Sequence, residues 1–184
     1  MIPMSTISPP LPAKLFVGML SSDPSLFVSC VEALTREFGP IDFSSPARPW
    51  SHTEYYAQEM GPGLLRQFHF FEKAMDPDML VEVKYRTQQL EQEHAERRNG
   101  ELHRRINIDP GYITEAKVVL ATAKDFPHRV SIGRGVYAES TLRYSKDARG
   151  FVPVEHTYPD FYAEEVRQWF MDARERLRKV LQRK

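Results

Sequence analysis

Apolar and polar positions switch between a period of two and a helical period along this chain, and the switches outline its elements. Lys14 to Leu20 (KLFVGML) is a short apolar run that predicts a first strand. Ser21-Ser22-Asp23-Pro24 then has the chemistry of a helix start, with Asp23 as N-cap and Pro24 at the first helical position. Phe27, Val31, Leu34 and Phe38 recur at helical spacing behind it, until Gly39 and Pro40 stop the helix. Cys30 sits beside that stripe as core filling. Ile41 to Ser44 alternates as a short second strand. The stretch after it, to Gly63, has no clean period and predicts an ordered loop with one helical turn. Its Trp50, His52, Tyr55 and Tyr56 either pack over the core or line a pocket, with packing the preferred reading.

Leu64 to Lys73 (LLRQFHFFEK) predicts a third strand. Asp76-Pro77 opens a long helix to about Arg98, with Leu80, Val83, Thr87, Leu90 and His94 on its inner stripe and Asn99-Gly100 ending it. RRINID (104–109) then alternates, Ile106 and Ile108 on one face and Arg105, Asn107 and Asp109 on the other. Strand, helix, strand, strand, helix, strand is the order of a ferredoxin-like α+β domain, an antiparallel sheet backed by two helices. Asp109-Pro110-Gly111 has turn chemistry. Residues 113–123 satisfy neither the helix nor the strand template. Val130 to Ile132 and Val136 to Tyr144 flank Gly133-Arg134-Gly135 as a hairpin that extends the sheet. A three-residue loop there pairs Ile132 with Val136, Val130 with Ala138 and Arg129 with Glu139, and puts Ser131 and Tyr137 on the face of that charge pair; a two-residue loop would reverse the faces. Asp160 is the expected N-cap of a final helix striped by Tyr162, Val166, Trp169, Phe170, Ala173, Leu177 and Val180.

Composition narrows the class. The chain has 184 residues, enough for one domain (14–184) with its own core behind a flexible proline-rich lead (1–13). Lys plus Arg and Asp plus Glu both count 25, so no overall charge draws it to nucleic acid or to anionic membrane. Cys30 is the single cysteine, which excludes an intramolecular disulfide and suits a cytoplasmic setting. No run approaches the ~20 apolar residues of a membrane helix.

The densest mixture of apolar pattern and ionisable groups lies between Arg104 and Tyr144. There Asn107 and Asp109 end a strand, Arg129 faces Glu139 across the hairpin, and Lys124, Asp125 and His128 stand at the entrance. Acid, base and cation together suit a small anionic ligand, nucleotide-like or phosphorylated, with Arg129 and Lys124 on the anion and Asn107 and Tyr137 beside it. Asp109 or Glu139 would act as general base and His128 as its partner if chemistry occurs. The plainer alternative for Arg129 and Glu139 is a cross-strand ion pair on a solvated face. A metal held by Asp109, His128 and Glu139 is imaginable, but no ligand spacing such as HExxH is present and none is assigned. The motifs of classical nucleotide enzymes are missing, GxxxxGK[ST], GxGxxG after a strand and GxSxG among them, and the residues leave any cofactor unknown. The contrasting function is a non-catalytic protein- or RNA-interaction module, which would need Phe68 and Phe70, or Phe71 with His69, exposed on the sheet. The basic end of the last helix (Arg174 to Lys184) reads as a solvated turn that complements the helix dipole.

FVGML-SSD, FGPIDF, HTEYYAQEMG, INIDPGYIT, KVVLATAKD, HRVSIGRGVYAE and HTYPDF, in that order over roughly residues 14–175, resemble the successive blocks of a bacterial family catalogued as domain of unknown function 4416. The resemblance implies a small single-domain bacterial protein and carries over no catalytic residues.

Overall fold

The computed structural model describes residues 6–51 and 55–182, the side chains of Tyr55 and Gln58 apart. The start of the lead, the expected packing of His52 and Tyr55, and the last two cations of the basic helix end therefore lie outside the described residues.

In chain order the elements are β1 (Ala13–Ser21), α1 (Pro24–Phe38), β2 (Ile41–Ser44), β3 (Arg48–Pro49), α2 (Tyr55–Met60), β4 (Leu65–Met75), α3 (Leu80–Glu93), β5 (Glu96–Arg98), β6 (Glu101–His103), β7 (Asn107–Ile113), β8 (Lys117–Thr122), β9 (Val130–Gly133), β10 (Val136–Ser145), β11 (Gly150–Pro153) and α4 (Glu164–Leu181). One antiparallel sheet runs β11-β10-β8-β7-β1-β4-β2, with β3 added to β4 and β9 to β10. This is an α+β architecture in three layers. On one face Phe16, Phe68, Phe70, Val118, Leu120 and Leu142 pack against Phe170, Trp169 and Val166 of α4. Phe170 meets Phe16 edge-on at 4.9 Å. On the other face Leu15, Val17, Met19 and Phe71 pack against Phe27, Cys30 and Leu34 of α1 and Val83 and Leu90 of α3. Central β1 is buried along its whole length because both of its faces are covered.

The helix start at Asp23 is as read: its carboxylate accepts the Ser25 N–H at 3.0 Å, and Gly39 closes the helix at φ 93°. Residues 117–122 of the undecided stretch form strand β8. No helix among the described residues is long and apolar enough to cross a membrane.

Three expectations need correction. Asp109-Pro110-Gly111 is no turn but runs through the middle of β7, where the two neighbouring strands override local turn chemistry. Asn99-Gly100 does not end α3, which stops at Glu93; both residues have positive φ (51° and 87°) and form the tip of the β5–β6 hairpin. Asp160 does not cap α4: a short 3-10 turn at Pro159–Phe161 intervenes, Ala163 is the N-cap, and Asp160 turns toward Arg66.

The β9–β10 hairpin combines both loop alternatives. Arg134 and Gly135, at φ 54° and 76°, make a two-residue turn with Gly133 opposite Val136. A bulge between Val136 and Tyr137 then restores Tyr137 opposite Ser131 and Ala138 opposite Val130. The expected register therefore holds beyond the bulge, while the Ile132–Val136 pair does not form.

Candidate functional site

The site begins where two neighbouring strands part. β7 and β8 pair only through Gly111–Ile113 and Val118–Leu120. The Thr114 N–H donates to the Lys117 carbonyl at 2.9 Å, so by alternation Val119, Ala121 and Ala123 turn their main-chain groups toward β7. Tyr112, Pro110 and Ile108 likewise turn theirs toward β8. Pro110 thus arrives opposite Ala121 with a carbonyl for its N–H but no N–H for its carbonyl, and the ladder stops. Farther out, α3 occupies the place of the lost strand: the Ile108 N–H donates to Glu91 Oε1 at 2.6 Å, and its carbonyl accepts from Lys84 Nζ at 3.3 Å.

A cavity of about 200 Å³ fills the gap. Five cations line it (Arg66, Lys84, Arg104, Lys124 and Arg129) with four carboxylates (Glu91, Asp109, Glu139 and Asp160). Leu20, Leu120, Trp50 and Tyr56 supply apolar wall.

One wall is clasped across β1. Arg66 projects from β4 on the same face as Gly18 of β1 and Asp109 of β7, and its Nη1 donates to Asp109 Oδ2 at 3.1 Å. The clasp exists because residue 18 has no side chain: a Cβ there would come within 2.7 Å of Arg66 Nη2. Arg66 Nε lies 3.0 Å from Asp160 Oδ2, an ion pair without hydrogen-bond alignment. Asn107 Nδ2 donates to the same Asp109 oxygen at 2.9 Å, and Arg104 Nη1 donates to Asn107 Oδ1 at 3.0 Å. Arg104 is itself held by Glu59, Nη2 to Oε2 at 2.6 Å.

The opposite wall is built on Arg129, whose side chain is 1% exposed. Its Nε donates to Glu139 Oε2 at 2.7 Å, Nη1 to the Lys124 carbonyl at 3.1 Å and Nη2 to Tyr158 Oη at 2.8 Å. The guanidinium lies 4.4 Å from the centre of the Phe126 ring. His128 Nε2 stands 2.8 Å from the same Glu139 oxygen and its ring stacks on His156 at 4.2 Å.

Burial works against the Asp109 carboxylate, but Arg66 and Lys84 beside it and the hydrogen bonds from Arg66 and Asn107 hold its pKa below the usual range. Its side chain keeps 30% exposure, and it opens into the cavity. Glu91 moves the other way: burial raises it, and nearby Lys84 offsets only part of the rise. Two acids of one cavity are thereby pushed apart, the pattern that separates a proton holder from an ionised carboxylate. Burial also raises the Tyr158 phenol.

Asn107, Asp109, Lys124, Arg129 and Glu139 come together on this cavity as their shared stretch suggested. His128 reaches it only through Glu139, and Tyr137 is not among its lining residues. The Arg129–Glu139 pair is buried, so it is not a pair on a solvated face. Arg66, Lys84, Glu91, Arg104, Tyr158 and Asp160 were missed. Two had a signal: Arg66 falls on the apolar face of its strand with Phe68 and Phe70, and Lys84 adjoins the inner stripe of α3. Phe68, Phe70, Phe71 and His69 are all buried, so the sheet presents none of the aromatic platform an RNA-binding module of this kind uses. Among the described residues, no three His, Cys, Asp or Glu side chains converge as metal ligands would.

Comparison with curated proteins and with solved structures finds no match. A family model described as Domain of unknown function (DUF4416) matches residues 11–177. The chain belongs to that family.

Proposed function

We propose that the cavity between β7 and β8 binds a small anionic ligand. The observation that carries this is Lys84. It is 8% exposed, lines the cavity, and has no carboxylate within ion-pair distance among the described residues. Its ammonium has three N–H donors and spends one, at 3.3 Å, on the Ile108 carbonyl. A buried cation without a contact partner is costly, and an incoming anion would supply the partner. Arg129 and Lys124 face the same space from the opposite wall. Asp109 and Glu139 each already hold donors, Arg66 and Asn107 on the one and Arg129 and His128 on the other, so the reading is one of binding rather than of proton transfer. The strand order β7-β1-β4-β2, with α1 and α3 together on one face, supports reading this half of the molecule as a ferredoxin-like unit.

Titration with inorganic phosphate and small carboxylates, followed by thermal shift, tests the proposal. Wild type is expected to gain about 2.7 kcal/mol at a hundredfold excess over Kd. Lys84→Met should lose at least tenfold in affinity while remaining folded by circular dichroism. Equal affinity in Lys84→Met, or no anion stabilising wild type, would sink it.

A further inference from the structure

The cavity holds a second unmet demand, on its other wall and in main-chain atoms. Alternation along β8 aims the main-chain groups of Ala121 toward β7, where the Gly111–Leu120 pairing gives its N–H the Pro110 carbonyl but leaves its own carbonyl facing a proline with no N–H. Ala121 is 1% exposed. The matching groups on β7, at Ile108, are already taken by Glu91 and Lys84. Among the described residues no side chain of the protein donates to the Ala121 carbonyl, so one strand edge is capped from within and this buried carbonyl on the other is left without a donor. Buried main-chain groups are almost always paired.

We infer that the ligand carries, beside its anionic group, an amide N–H that replaces the donor Pro110 cannot give. That N–H donates to the Ala121 carbonyl. This rests on the anion-binding reading and narrows it, because a bare anion would leave the Ala121 carbonyl unpaired. The ligand class is a small carboxylate or phosphate with an amide next to it. The amide can be an open-chain peptide unit or a ring lactam.

The decisive comparison is an amide against its ester. N-acetylglycine and acetoxyacetate share shape and carboxylate and differ in the single N–H; orotate presents an N–H beside its carboxylate in a ring, and inorganic phosphate has none. Binding to the full chain is followed by amide chemical shifts, with Ala121 and Ala123 as reporters. The amide is expected to bind at least tenfold tighter than the ester and to shift both reporters. Tighter binding by orotate than by N-acetylglycine would support the same N–H, supplied by a ring. Pro110→Ala gives β7 an N–H for the Ala121 carbonyl, so this variant should bind amide and ester alike. Amide and ester within twofold in wild type, or unmoved reporters, would overturn the inference and leave anion binding standing. If neither phosphate nor any organic anion binds, both readings fall.

Discussion

Replacing Gly18 by Ala is ordinarily mild: where the backbone permits it, the change stabilises by about 0.4–1 kcal/mol through the unfolded state. Gly18 is not among the residues with positive φ, so its backbone would accept alanine. The side chains would not. The new methyl would stand 2.7 Å from Arg66 Nη2, 2.9 Å from its Cζ and 3.0 Å from Phe68 Cε1. Arg66 would have to lift away, yet it is pinned between Asp109 and Asp160 at 3.1 and 3.0 Å and is 9% exposed. Overpacking costs about 1–3 kcal/mol, and removing one partner of a buried pair about 3–5 kcal/mol. Displacement without removal places Gly18→Ala at about 2–4 kcal/mol destabilising, against the usual sign. For a domain of this size that lowers Tm by about 10 °C. Urea unfolding of Gly18→Ala, Arg66→Met and the double variant separates the causes. If the methyl acts through Arg66, its cost falls below about 1 kcal/mol once Arg66 is gone, and the coupling is about 2 kcal/mol or more. Additivity within about 0.5 kcal/mol would refute the clasp.

Three further outcomes follow from contacts elsewhere. His69, buried between β1 and β2 with its Nδ1 2.8 Å from Ser44 Oγ, has its pKa lowered to about 4 by burial. Its neutral form is favoured by folding, so the stability it contributes is complete above pH 6.5 and declines by about 3 kcal/mol as pH falls to 4; His69→Leu should flatten that part of a stability-against-pH curve. Glu139→Gln strips the carboxylate from buried Arg129 and should cost about 3–5 kcal/mol in urea, while Arg129→Met combined with Glu139→Leu recovers most of it; a single variant no worse than the double would contradict this. Gly111→Ala would put a methyl 2.3 Å from the Val119 carbonyl oxygen and 2.5 Å from the Phe16 ring, so the variant should fail to fold by circular dichroism, and a soluble protein with wild-type Tm would show that β7 and β8 can move apart there.

What could be read from the residues, and what could not, divides by the range of the interactions. The first helix was legible because its signals are local: Asp23, Pro24 and Gly39 act on their own backbone. The Arg129–Glu139 pair was legible because period-two arithmetic from a hairpin tip survives one bulge. Pro110 was misread because Asp-Pro-Gly has the same local chemistry in a turn and in a strand whose ladder ends there; only the neighbouring strands decide between them. Asn99-Gly100 was misplaced because three-residue strands are too short to show alternation beside a helix. Lys84 and Glu91, seven positions apart on α3, lie outside the apolar stripe that the period picks out, and their role exists only because β8 is absent at Ile108.

Exposed strand edges invite other chains to add on, and proteins blunt them with charge, bulges or cover to avoid aggregation. Beyond Leu120, β8 has such an edge on its β7 side, but it faces inward. A gap of about 200 Å³ admits a small molecule and excludes a foreign strand. Missing one amide hydrogen at Pro110, the fold opens a strand edge inside itself without the self-association that an outward edge carries.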